Sequence, residues 1–178
     1  LLSDEAIRAL ELLDDRPEDA ATCYHISVHA VAGTESAETI RLRALVGNQV
    51  MLLLVDSGSP HTFVNSEFAR RAGCQVQGAE PGTVRVANGD SLQSNQLVAQ
   101  LQWWCQGNTF ATDMRLLDLG AYDAVLGVDW LAQFSPTNCH WGLKTLEFRH
   151  GSTNIKLQGV RALTEPTLTE IRVEQLSK

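Results

Sequence analysis

No apolar run in this chain approaches the roughly 20 residues that a bilayer-crossing helix needs, and one of the longest, Val50 to Val55, is far shorter. A membrane-spanning role is therefore not expected. Basic residues are scarce: 14 Lys and Arg stand against 21 Asp and Glu, for a formal net charge of -7. A phosphate-binding surface concentrates cations, so nucleic acid is not an expected partner. There is no Cys-x-x-Cys pair, and Cys23, Cys74, Cys105 and Cys139 are scattered with no leader-like segment ahead of them. They are expected to be reduced, partly buried thiols rather than a disulfide framework or a metal site. The 5 Pro and 13 Gly are too few for extensive disorder, and neither repeats nor low-complexity tracts occur. Leu1 rather than Met opens the sequence, as in a piece of a longer polypeptide.

What is present fits one folded domain with short extensions, since 178 residues support one sizeable core and not two large ones. Ala6, Ile7, Leu10 and Leu13 recur at helical spacing behind Ser3, Asp4 and Glu5, which predicts a short amphipathic helix. The charged run Asp14 to Asp19, broken by Pro17, reads as a linker. Beyond Cys23 the texture is of strands. Ile26 to Val31, Thr39 to Leu45 and Val50 to Val55 are separated by Gly33 and by Gly47-Asn48. Alternation over Thr39 to Val46 predicts one wet face, and the continuous run Val50 to Val55 predicts burial on both. Phe63 to Ala72 is expected to hold one or two helical turns ended by Gly73. Val84 to Leu92 alternates about Asn88-Gly89, the pair that most readily makes a tight hairpin turn. A second hairpin joins Leu97 to Trp104 with Thr109 to Leu117 through Gly107-Asn108, placing Trp103 and Trp104 on opposite faces. Ala124 to Leu131 reads as an apolar strand running into a turn or helix, and Thr145 to Phe148 pairs with Asn154 to Leu157 around His150-Gly151. The expected organisation is a helical extension and linker over 1–22, the folded domain over 23–160 and a polar tail over 161–178.

The chemistry-bearing segment is Asp56-Ser57-Gly58-Ser59, directly after the most apolar strand. Gly58 permits close backbone approach, and the hydroxyls of Ser57 and Ser59 can hydrogen-bond around the Asp56 carboxylate or across to a partner loop. Peptide hydrolysis by carboxylates needs two acids, one ionised to activate water and one protonated toward the carbonyl. No second Asp-Ser-Gly or Asp-Thr-Gly exists in the chain, so the second acid is expected from a symmetry mate.

Three features together carry a specific resemblance: Asp56-Ser57-Gly58-Ser59 after Met51 to Val55, the Asn88-Gly89 hairpin, and the segment Tyr122-Asp123-Ala124-Val125-Leu126-Gly127-Val128-Asp129-Trp130-Leu131. In order and spacing they resemble the retropepsin-type aspartic protease of gypsy-class LTR retrotransposon polyproteins, over about Ile26 to Phe148. The resemblance implies an all-β, closed acid-protease barrel, here with the N-terminal helix and one short helix after the second Gly segment. It implies Asp56 as the catalytic residue, sharing a water with its symmetry mate, Ser57 in hydrogen bonds between subunits, and Ser59 orienting the carboxylate. Ala87, Asn88, Gly89 and Asp90 would form the flap over an extended peptide, and Gly127 would pack beside the active-site loop. It also implies a homodimer acting on a polyprotein, with no cofactor and no metal, in the cytoplasm of a cell or in virus-like particles.

Simpler readings compete at several positions. Asp-Ser-Gly alone is more often an ordinary turn. Asp123 and Asp129 are more simply solvated or capping residues than a second acid. Ser59, His61 and Asp56 supply the residue types of a serine hydrolase but without a nucleophile elbow. His25 and His29, four apart, would suit a metal on a helix but sit in a strand-like run that spaces them widely, and the adjacent Cys139-His140 has no mate at ligand spacing. Trp103, Trp104, Trp130 and Trp141 are read as core and rim aromatics. The leading function is a homodimeric aspartic endopeptidase; the alternative is a catalytically silent domain of the same fold that dimerises or binds peptide.

Overall fold

A computed structural model describes residues 23–26, 39–86 and 89–161. The expected helix of Ser3 to Leu13, the linker behind it, Ser27 to Val31, the turn residues Ala87 and Asn88, and the tail from Thr164 lie outside these residues.

Eleven strands are formed among the described residues: β1 (Cys23–His25), β2 (Ile40–Val46), β3 (Gln49–Val55), β4 (Phe63–Asn65), β5 (Gln77–Arg85), β6 (Ser91–Cys105), β7 (Asn108–Leu117), β8 (Ala124–Leu126), β9 (Asn138–His140), β10 (Thr145–His150) and β11 (Thr153–Gln158). Two short helices interrupt them, α1 (Ser66–Arg71) and α2 (Val128–Leu131), the latter continued by a 3-10 turn over Ala132–Phe134. The order β6-β2-β3-β8-β4-β7 closes on itself because β6 also pairs with β7, which makes a six-stranded barrel. Closure leaves these strands no open edge. Strands β5 and then β1 extend outward from β6, and β9, β10 and β11 form a separate small sheet. The mostly β, closed-barrel architecture is the one expected, as is the short helix after Gly127.

Strand β2 alternates as its sequence requires, with Ile40, Leu42, Ala44 and Val46 buried in the core. Strand β3 departs from expectation. Val50 is 59% exposed and only Leu53, Leu54 and Val55 are buried consecutively. The reason is tertiary: β8 covers β3 only from Leu53 to Val55, so the earlier half keeps one wet face. Phe63 to Asn65 are strand rather than helix, because they fill the gap between β7 and β8 and close the ring. Helix α1 starts only after them, capped by Asn65, whose Oδ1 accepts from the Glu67 N–H at 2.9 Å, and Gly73 at φ +68° follows its end.

The two expected hairpins share one long strand. β6 pairs with β5 as far as Arg85 opposite Ser91, then with β7 as far as Cys105 opposite Asn108. It bends between them at Gln100 (φ +47°), where the register shifts between Val98 and Leu101. In the second turn the positive-φ residues are Gln106 (+48°) and Gly107 (+87°), not Gly107 and Asn108. A two-residue turn of this hand needs positive φ at both central positions, and the register makes Asn108 the first residue of β7 instead.

The main core is organised by aromatics. Trp103 stacks on Phe110 at 4.5 Å, and Trp130 meets Phe134 at 4.7 Å. Phe134 also meets Phe148 of β10 at 4.8 Å, which ties the small sheet to the barrel. Trp104, on the opposite face from Trp103, is 45% exposed, and Trp141 also lies at the surface. A smaller cluster of Ile26, Leu54, Phe63, Val84, Val86, Leu117, Leu119, Tyr122 and Val125 lies apart from this core.

Candidate active site

Parallel pairing of β3 with β8 sets Val55 opposite Leu126. The next residue is Asp56, and its N–H donates to the Leu126 carbonyl at 3.0 Å. The chain then turns: the Ser59 N–H donates back to the Asp56 carbonyl at 3.2 Å, and the Gly58 N–H donates to Asp56 Oδ1 at 3.0 Å. Asp56 is 9% exposed, and its Oδ2 is buried with no hydrogen-bond partner among the described residues.

A second segment clamps this turn from below. The Val128 N–H donates to the Ser59 carbonyl at 2.7 Å and the Asp129 N–H to the Pro60 carbonyl at 3.1 Å. Thr62 is the hub of the clamp. Its hydroxyl donates to Asp129 Oδ1 at 2.6 Å and accepts from the Gly127 N–H at 3.0 Å, while its N–H donates to Asp129 Oδ2 at 3.1 Å. Gly127 has no room for a side chain, since an added Cβ would lie 2.3 Å from the His61 carbonyl oxygen and 2.7 Å from that of Ser59. Extended backbone at Gly127 (φ -91°) suits any residue, so the requirement for glycine is one of space alone.

Ser57 and Gly58 are exposed beside the carboxylate, and Ser59 is fully buried. The Ser59 hydroxyl donates to the His61 carbonyl at 2.7 Å. That departs from the expected orienting contact with Asp56, a task taken here by the Gly58 N–H, because the buried Ser59 side chain points along its own loop. The same bond removes the Ser59, His61 and Asp56 triad, for the His61 ring instead faces Asp129 at 3.6 Å. Asp129 is half-exposed in the first turn of α2, where its Oδ1 also accepts from the Trp130 N–H at 2.7 Å. Asp123 is more than a solvated residue. Its Oδ2 accepts from the Leu52 N–H at 2.8 Å and its own N–H donates to the Leu52 carbonyl at 2.9 Å, extending the β3–β8 ladder.

The sequence does not mark Thr62 as a brace of the Asp56 loop. Nothing local marks a threonine six residues after Asp56 as the partner of an aspartate 67 residues away. At the turn between β5 and β6, the Val86 N–H donates to the Asp90 carbonyl and the Gly89 N–H to the Val86 carbonyl, both at 2.9 Å, with Gly89 at φ +94°. This hairpin stands over the smaller apolar cluster through Val84 and Val86. Among the cysteines, Cys74, Cys105 and Cys139 are free, and burial pushes the Cys105 thiol up from 9.0 to about 11. Among the described residues no helix is long and apolar enough to cross a membrane.

The arrangement presents one buried carboxylate, with one oxygen held by a backbone N–H and the other without a hydrogen-bond partner among the described residues, on a loop braced by core hydrogen bonds. Comparison with solved structures finds the retroviral protease-like domain of Ddi1 from Leishmania major, with a TM-score of 0.57 and 14% identity over 71% of this chain and 97% of that one. At that identity the likeness is one of fold. A search of curated proteins finds no match. A family model described as retroviral aspartyl protease matches residues 20–149, most of the chain, and the fold and the Asp56 loop stand within that span: the chain belongs to the retroviral aspartyl protease family.

Proposed function

We propose that the chain is one subunit of a homodimeric aspartic endopeptidase, with a protease unit spanning residues 23–160. The observation that carries the reading is the buried Asp56 carboxylate at the end of a core strand, its Oδ2 without a hydrogen-bond partner among the described residues. One chain contributes one such carboxylate. A two-fold axis beside Ser57 and Gly58, both exposed, would bring two copies of Asp56 face to face with a water between them.

In that pair one carboxylate is ionised and takes a proton from the water as its oxygen attacks the peptide carbonyl carbon. The other is protonated and gives its proton to the carbonyl oxygen. Collapse of the tetrahedral intermediate breaks the C–N bond, and the leaving amine takes a proton from the pair. Ser57 reaches across the dimer below the carboxylates, the hairpin Ala87 to Asp90 closes over the peptide, and Gly127 lets the supporting segment lie directly against the catalytic loop. The substrate in this reading is an extended segment of the gypsy-class retrotransposon polyprotein that contains the enzyme, processed in the cytoplasm or in virus-like particles. Apolar side chains beside the cleaved bond are favoured, since the strands around the loop are apolar.

The test combines sedimentation with cleavage of a polyprotein-derived peptide. The wild-type chain is expected to sediment as a dimer, to cleave, and to be blocked by a statine-type inhibitor, while Asp56→Asn abolishes cleavage and leaves the dimer. Undiminished cleavage by the variant would sink the mechanism. A dimer that binds peptide yet never cleaves would establish instead the catalytically silent domain.

A further inference from the structure

Strand β5 pairs with β6 along one edge, and its other edge is occupied by β1, a short piece of the chain's own N-terminal region. The two run parallel, with Cys23 opposite Thr83, Tyr24 opposite Val84 and His25 opposite Arg85. Ile26 continues the contact: its N–H donates to the Arg85 carbonyl at 3.2 Å, and its side chain is only 4% exposed. The residues around it are those of the smaller cluster, including Leu54, Phe63, Val84, Val86, Tyr122 and Val125. Leu54 lies two positions before Asp56 and Val125 two before Gly127. The segment therefore enters the space between the hairpin and the strands that deliver the carboxylate. It does so extended, with its backbone on a sheet edge and one β-branched aliphatic side chain in an apolar pocket.

Addition of a strand to an open edge, with a pocket reading alternate side chains, is a general mode of peptide recognition. Among the described residues the attachment is short: a three-residue ladder, one further backbone hydrogen bond and the buried side chain of Ile26, against the seven-pair ladder that joins β2 to β3. Elements held by so few interactions are those that open most readily. We propose that Cys23 to Ile26 is an internal ligand of the peptide-binding cleft: it holds the free edge of β5, with Ile26 in the pocket beneath, and an extended peptide bearing a β-branched aliphatic residue must displace it. The inference rests on the cleft being the substrate site of the proposed protease, and it deepens that reading by assigning both a side-chain preference and a self-competing segment.

The test uses full-length protein carrying Asp56→Asn, so that peptide binding is read without cleavage. The probe is a fluorescein-labelled peptide with the sequence of residues 21–30, followed by fluorescence anisotropy. Ile26→Ser and Ile26→Ala, each made in that background, are expected to bind the probe about ten-fold more tightly or better, because the internal competitor is weakened. A probe whose isoleucine is replaced by serine is expected to lose that gain. Equal affinity in the parent and both variants overturns the inference, as does tighter binding of the serine probe. Failure of both variants to fold overturns it too, since a displaceable segment is not required for the barrel. In the active chain, a lower KM with kcat unchanged in Ile26→Ala supports it. Tighter probe binding without any cleavage in the wild-type background would leave this inference standing and remove the protease reading, so the two fail separately.

Discussion

Replacing Gly127 by alanine tests the bracing of the Asp56 loop. The added Cβ would sit 2.3 Å from the His61 carbonyl oxygen, 2.5 Å from its carbon and 2.7 Å from the Ser59 carbonyl oxygen. Each neighbour is backbone, so no side chain can swing aside. Ordinary contact begins near 3.4 Å, and the loop must retreat by about 1 Å. Overpacking of a core typically costs about 1–3 kcal/mol, and a clash with backbone belongs at the upper end. The retreat also stretches the bonds from the Gly127 N–H to Thr62 Oγ1 (3.0 Å) and from the Val128 N–H to the Ser59 carbonyl (2.7 Å). At about 1 kcal/mol each, these bring the expected loss to roughly 3–5 kcal/mol. Differential scanning calorimetry should then show Tm lower by about 10 °C or more. In molecules that remain folded at low temperature, a displacement of about 1 Å at the carboxylate should lower kcat/KM by on the order of 100-fold. Gly142→Ala is the control, because its Cβ would meet only the His140 ring at 3.6 Å; it should change stability by less than about 0.5 kcal/mol. A Gly127→Ala protein that melts within about 2 °C of wild type would refute the account of this contact.

Two further outcomes follow from the same geometry. Asp129→Ala removes the acceptor of the Thr62 hydroxyl and N–H, leaving buried donors unpaired, and is expected to cost about 2–3 kcal/mol by urea denaturation; a loss below about 0.5 kcal/mol would show that Thr62 finds other partners. Cys105, fully buried and with its pKa raised from 9.0 to about 11, should resist iodoacetamide in the native protein and react only on unfolding, as read by mass spectrometry. Its proton is held more tightly in the folded state, so the stability it contributes is intact below about pH 9 and is lost as pH rises toward about 11. The urea midpoint of wild type should therefore fall toward that of Cys105→Ala over this range, and a constant gap would count against the assignment.

Much of the barrel is legible because its signals are local. The alternation of β2, the pairing of β5 with β6 as a hairpin and the placement of Trp103 and Trp104 on opposite faces follow from the period of two in a strand and from turn chemistry. Errors arise where a neighbour decides. Val50 to Val55 looks uniformly buried, but β8 covers only its second half. Phe63 to Asn65 sit before a helix and look like part of it, yet barrel closure makes them strand. The second turn moves back one residue because strand register, not the Gly-Asn pair, fixes which residues take positive φ.

For the site, the sequence by itself determined the turn at Asp56: an apolar strand, then an acid, a hydroxyl and a glycine, with no second copy in the chain. Those are properties of adjacent residues, and short-range sterics are enough to read them. Only the tertiary structure decided what surrounds that acid. The pairing of Thr62 with Asp129, the absence of space at Gly127, the burial of Asp56 and the seat of Ile26 all join segments far apart in the chain. Such contacts depend on the register in which six strands close, and each register is set by the packing of all the others.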